Sequence, residues 1–231
     1  EQVEKYLSHG PVTYSELMWQ WGRSYYFLGK ISGEIVDFHT ALNSYKNAQD
    51  IIKSDLFWND YGNAFVEVGC LINDTQHLME ALACYKKCVS RCSENFEGWL
   101  NAACTAQRLF YITSQDTFFT YANKAFSKAT SLLPSNVNAW FKWGELLLTL
   151  GKHTHNLTSI QESIQRFKRA YECEEGNDIV LCRWAEAELL LGKYMENLSL
   201  LKSAEKKIMK SLSQESSSST AWYLYGECLK E

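Results

Sequence analysis

One stretch, Ala139 to Lys152 (A-W-F-K-W-G-E-L-L-L-T-L-G-K), recurs in degraded form along the whole chain, and its spacing constrains the fold more than any other feature. Taking as marker the glycine or alanine four residues after a leading large side chain, copies fall at Gly22, Gly62, Ala103, Gly144, Ala185 and Gly226. Successive markers are 40, 41, 41, 41 and 41 residues apart. The large residues before them are Met18, Trp58, Trp99, Trp140, Leu181 and Trp222, and all eight tryptophans lie within the four positions preceding a marker. A fixed period of this length is the mark of a stacked array, in which each unit buries its apolar face against its neighbours instead of in one central core.

Each unit reads as a helical hairpin. With two prolines in 231 residues and long glycine-free runs, helix is favoured over sheet. In the first copy Ser15 can cap a helix carrying Met18, Trp19, Trp21, Tyr25 and Leu28 and ending at Gly29; Asp37 can cap a second, with Ala41, Tyr45, Ala48 and Ile52 on one face. The second copy runs from Asp55 through Trp58, Tyr61, Phe65 and Val68 to Gly69, then after Asp74 carries Ala81, Tyr85, Cys88 and Cys92. The small, aromatic, small triad returns as Ala122, Phe126, Ala129, as Ser163, Phe167, Ala170 and, with a branched aliphatic, as Ala204, Ile208, Ser211, always nineteen residues after the marker. Small residues let two helices approach and the ring fills the space between them, which is a packing rule. The expected repeats are residues 15–55, 56–95, 96–136, 137–177 and 178–218; 1–10 reads as the tail of a preceding helix and 219–231 as the first helix of a sixth hairpin or a cap.

Composition excludes several roles. Hydrophobic residues at 46% and charged residues at 22%, with both signs interspersed, describe a folded chain. A net charge of -4 without any basic block disfavours nucleic acid. Apolar runs such as Leu146 to Leu148 are too short to span a bilayer, and the opening Glu1-Gln2 is not followed by a leader-like pattern, so neither membrane insertion nor a signal peptide is expected. The eight cysteines read as reduced thiols in a cytoplasmic protein. Asn73, Asn156 and Asn197 each open an Asn-x-Ser/Thr triplet in one phase of the repeat and read as residues that stop one helix and cap the next. Cys84, Cys88 and Cys92 share a helix face, but Cys88 takes the small packing position held elsewhere by Ala48, Ala129 and Ala170, so packing is favoured over a metal. The same holds for the His153 and His155 pair beside Gly151, which reads as loop polarity. With no phosphate loop or nucleophile elbow, the expectation is no cofactor and no enzymatic activity.

These residues resemble the tetratricopeptide repeat. Trp140, Gly144, Gly151, Ser163, Phe167 and Ala170 match its pattern in the fourth unit, and Ala122, Phe126, Ala129 and Pro134 in the third. The family period is about 34, so seven extra residues are expected in the second helix, its connecting loop, or both. The resemblance implies an all-α fold, a right-handed α-solenoid of antiparallel helical hairpins whose first helices line a concave groove that binds protein or peptide. Carried over position by position, the groove residues are Trp19, Arg23 and Tyr26; Asn59, Asn63 and Val66; Leu100, Cys104 and Gln107; Phe141, Glu145 and Leu148; and Glu186, with Glu227 in the same phase. Asn59 and Asn63 fit part of a carboxylate clamp, but Leu100 and Cys104 stand where its further polar groups belong. Glu145, Glu186 and Glu227 form an acidic ladder suited to a basic partner segment. The expected function is a scaffold or adaptor for a partner protein; the alternatives are a secretion-type chaperone, or a regulatory domain attached to an enzyme elsewhere in a longer chain.

Overall fold

A computed structural model of the chain describes residues 13–214 and 218–229. The expected helix tail over residues 1–10 lies outside the described residues. Among those described there are eleven helices and no strand: α1 (Tyr14–Ser32), α2 (Ile35–Ala48), α3 (Asp55–Leu71), α4 (Thr75–Arg91), α5 (Phe96–Thr113), α6 (Asp116–Leu132), α7 (Val137–Thr154), α8 (Leu157–Cys173), α9 (Asp178–Tyr194), α10 (Leu198–Gln214) and α11 (Ser219–Cys228). The chain divides into two compact units, residues 1–125 and 126–231, with the boundary inside α6. Within the first unit α1 pairs with α2 and α3 with α4; within the second α7 pairs with α8, α9 with α10, and α11 packs on α10.

The packing inside a hairpin follows from the marker. A β-carbon at Gly22, Gly62 or Gly144 would lie 2.7, 2.6 or 2.7 Å from a ring carbon of Tyr45, Tyr85 or Phe167, so only glycine lets the second helix press its ring against the first. Those three rings are fully buried. Burying a ring of this size contributes roughly 2–3 kcal/mol. At Ala185 the partner is the smaller Ile208, and both are buried. The second glycine, expected to end the first helix, does something else. Gly29, Gly69, Gly151 and Gly192 lie inside α1, α3, α7 and α9, where a β-carbon would meet Phe38, Asp74, Ile160 or Leu201 within 2.5–3.1 Å. They seat the start of the returning helix, and the first helix runs on for two or three more residues.

What stops the first helix is the backbone. Gly33, Asn73, Ser114, His155 and Glu196 have φ of 74, 53, 56, 53 and 50°, the left-handed conformation that closes a helix end, and they recur in step with the markers. The first-to-second connections are therefore short, as with Gly33–Glu34, and the residues added over the 34-residue pattern lie in the helices. Of the three triplet asparagines, Asn73 stops α3, while Asn156 and Asn197 accept from the amides of Ser159 and Leu200 at 3.2 and 3.3 Å. The first helices begin at a second periodic device. Thr13, Ser54, Asn95, Asn136, Asn177 and Ser218 are the N-caps of α1, α3, α5, α7, α9 and α11, each 41 residues after the last. The side chains of Asn95, Asn136 and Asn177 accept from the amides of Gly98, Ala139 and Val180 at 2.7, 2.8 and 3.1 Å. Thr13 forms a capping box with Glu16. Ser15, read from the sequence as the cap, is buried in the first turn, and Asp37 lies in the first turn of α2, where it accepts from the Ser32 hydroxyl at 2.7 Å.

Candidate partner-binding face

In the first unit the predicted face is bound together by side chains reaching from one first helix to the next. The Trp19 indole N–H donates to Asp60 Oδ2 at 2.9 Å, Arg23 lies 3.5 Å from the same oxygen, and Lys30 donates to Glu67 at 2.8 Å. Burial pushes the Asp60 carboxyl above its ordinary range, opposed by the Trp19 hydrogen bond and by Arg23. Burial likewise raises the Tyr26 hydroxyl, and neighbouring Glu67 adds to it. The Trp19 ring stands edge-on to Phe57 at 5.9 Å, and Tyr26 does the same to Phe38 at 5.9 Å. Arg23 is exposed, while Val66, Leu100 and Cys104 are half-buried.

Two polar members of the set are not open to a partner. Asn59 and Gln107 are buried. Asn101 donates to the side-chain carbonyls of Asn59 and Asn63 at 3.0 and 3.3 Å, and Asn63 also accepts from the Tyr85 hydroxyl at 2.7 Å. Gln107 donates to the Tyr111 hydroxyl at 2.6 Å. The asparagine carbonyls hold α3 to α4 and α5, and Asn59, the first of the two residues that fit part of a carboxylate clamp, is buried.

In the second unit the acidic ladder is paired. Glu145 accepts from Lys142 at 2.8 Å and lies 3.8 Å from Arg183; Glu186 accepts from Arg183 at 2.8 Å and is bonded by Lys152; Glu227 lies 3.4 Å from Lys193. Burial alone would raise the Glu186 carboxyl, but hydrogen bonds from Lys152 and Arg183 outweigh it and hold the group below its ordinary range. Lys152 and Lys193 both stand eight residues after a marker and reach the glutamate one residue after the next. The lysine phase is as regular in the sequence as that of the glutamates. The ladder is a set of links between successive first helices, so its expected preference for a basic partner loses its electrostatic basis. Leu148 also changes role: it is buried against Ile160, Phe167 and Leu191.

What remains open is an apolar hollow of about 270 Å³ at the N-terminal ends of α7 and α9, lined by Val137, Asn138, Phe141, Glu174, Asn177, Ile179 and Val180. Phe141 forms one wall, leaning on the Phe167 ring at 5.8 Å, and the exposed Ile179 forms part of the other. The periodic caps fix its rim, since Asn136 and Asn177 start the two helices. Ile179 was missed from sequence because it falls outside the three carried-over positions. No disulfide joins any of the eight cysteines, and burial pushes the Cys84 and Cys88 thiols up to about 12. Among the described residues no group of three metal-ligating side chains comes together, and no helix is long and apolar enough to cross a membrane.

No family model and no curated protein sequence matches the chain. Solved structures do. A crystal structure of MamA aligns over 88% of this chain and 92% of its own, with a TM-score of 0.68 and 17% identity. A tetratricopeptide-repeat protein of Thermus thermophilus aligns over 94% and 100%, with a TM-score of 0.55 and 16% identity. The C-terminal part of a repeat-containing protein of Cytophaga hutchinsonii aligns over 92% and 72%, with a TM-score of 0.64 and 13% identity. With helices paired as the resemblance implied, the chain shares the fold of these solved structures, with a period of 40–41 residues in place of about 34.

Proposed function

We propose that this chain is a non-catalytic scaffold that holds an extended segment of a partner protein against its first-helix face. The hollow beside Phe141 and Ile179 carries the reading. At about 270 Å³ it falls below the roughly 300–1,000 Å³ of small-molecule sites, and it suits one large apolar side chain of a peptide. Its walls are aromatic and aliphatic, the chemistry of an interface anchor, and its rim offers the polar groups of Asn138 and Glu174 to a peptide backbone. The paired glutamates make the surrounding surface mixed in sign, so the partner is selected by its anchor residue more than by net charge. A reducing, cytoplasmic setting agrees with eight cysteines outside any disulfide.

Selection of a displayed random-peptide library on the folded chain tests this reading. Enriched peptides are expected to share a large apolar residue at one position and to lose at least ten-fold in affinity for the Phe141→Ala, Ile179→Ser variant, whose circular dichroism is unchanged. Peptides that bind this folded variant as well as wild type would refute it. Leu148 is left intact, because truncating it would open the core.

A further inference from the structure

The hollow beside Phe141 has a counterpart one repeat further on. Moving 41 residues along from Asn138, Phe141, Asn177 and Ile179 gives Ile179, Cys182, Ser218 and Thr220. Those four, with Asp178 and Arg183, line a smaller hollow of about 100 Å³ at the N-terminal ends of α9 and α11. Ile179 is a wall of both, so a segment seated in the first is led into the second. The first hollow stays open with α10 and α11 following it, so an opening at this phase belongs to the repeat itself. The chemistry changes between the two. Phe141 gives way to Cys182, which is buried with its thiol 3.1 Å from the Ser211 hydroxyl, Ile179 gives way to Thr220, and Asp178 stands where Val137 did. Arg183 brings a guanidinium whose Nη1 donates to Glu186 at 2.8 Å and whose Nε lies 3.8 Å from Glu145. A guanidinium has more N–H donors than those two contacts engage. The second hollow therefore sets an acceptor-only carboxylate and a donor-only guanidinium around one space, beside the Thr220 hydroxyl, which can act either way.

We propose that this second hollow takes the side-chain amide of an asparagine or glutamine, carried by the same partner segment whose apolar residue fills the first. The proposal deepens the scaffold reading and rests on it. An amide offers its NH₂ to the Asp178 carboxylate and its carbonyl to Arg183, so one side chain answers both walls. A lysine or arginine would bring a like charge to Arg183, and an aspartate or glutamate would bring one to Asp178. The volume, about 100 against 270 Å³, favours a small side chain over a ring. The first helix α9 touches both α7 and α11. Packed helices stand roughly 8–10 Å apart and an extended chain rises about 3.3 Å per residue, so about three residues separate the amide from the apolar anchor.

A displayed peptide library with a phenylalanine fixed and the residues on either side randomised, panned on the whole chain, is the probe. Enriched peptides are expected to carry Asn or Gln at one spacing from the phenylalanine. In fluorescence anisotropy with a fluorescein-labelled enriched peptide, changing that amide to the matching acid is expected to weaken binding about ten-fold, the worth of one hydrogen bond to a charged group. Asp178→Asn, which removes the negative wall and keeps its shape, is expected to reverse the order, so that the acid peptide binds the tighter. Phe141→Ala weakens both peptides alike, and the circular dichroism of both variants is unchanged. Peptides that need Phe141 but share no amide, or whose preference for amide over acid survives Asp178→Asn, overturn the proposal and leave the scaffold reading standing. A serine or threonine enriched at that spacing does the same. Peptides that bind the folded Phe141→Ala variant as well as wild type, or a library from which none is enriched, sink both.

Discussion

Glycines that admit rings and charges that meet across helices hold the hairpins together residue by residue. Gly62 is pressed by Tyr85, whose hydroxyl is anchored on Asn63, so the ring cannot retreat. Gly62→Ala should lower unfolding free energy by about 1–3 kcal/mol through overpacking. At Gly226 nothing lies within 4 Å of a would-be β-carbon. There Gly226→Ala should raise stability by up to about 1 kcal/mol from helix propensity alone. Urea unfolding of the two variants checks the contrast. Glu186 supplies a pH test. Its carboxyl is held low in the folded chain, so its stabilising contribution is present above the unfolded value of about 4.3 and is lost as pH falls through the lower folded value. Glu186→Gln should therefore melt below wild type at pH 7, and the gap should close as the pH is taken below about 4. Most of these residues were legible in the sequence, because a 41-residue phase marks Gly62, Tyr85 and Glu186 alike. The phase of Lys152 is legible too, but that its side chain reaches Glu186 of the next hairpin is a fact of three dimensions.

At the scale of elements, the hairpins were readable but their ends were not. Apolar periodicity reads as helical hairpins, the architecture found, whereas Ser15 and Asp37 are cap candidates by residue type alone. Capping is decided by which residue leaves helical geometry, and that is set by the left-handed turn and by where the preceding helix ends. The periodic caps at Asn95, Asn136 and Asn177 could have been found from their spacing. The glycine seven residues after four of the markers reads in sequence as a helix stop, whereas its reason is contact with partners such as Phe38 or Ile160. Asn136→Ala, which removes the acceptor of the Ala139 amide, should cost about 1 kcal/mol. Ser54→Ala should leave stability nearly unchanged, because Ser54 caps α3 without a side-chain hydrogen bond. Thermal unfolding of the pair measures the difference.

At the scale of the whole molecule, the sequence carried the architecture further than the site. A packing rule repeats and so is redundant, each unit restating it. A binding surface depends on which side chains are left over after packing, and three of the groove residues read from the resemblance, Asn59, Gln107 and Leu148, are consumed by the fold itself. The proposed anchor combines Phe141, one of the positions the resemblance implies, with Ile179, which lies outside them. Hydrogen–deuterium exchange of the chain with and without a library-selected peptide addresses the central claim most directly. Added protection should concentrate in the first turns of α7 and α9, around residues 137–141 and 177–183, with α8 unaffected. Protection confined to the outward faces of α8 and α10, with those first turns unchanged, would contradict the account.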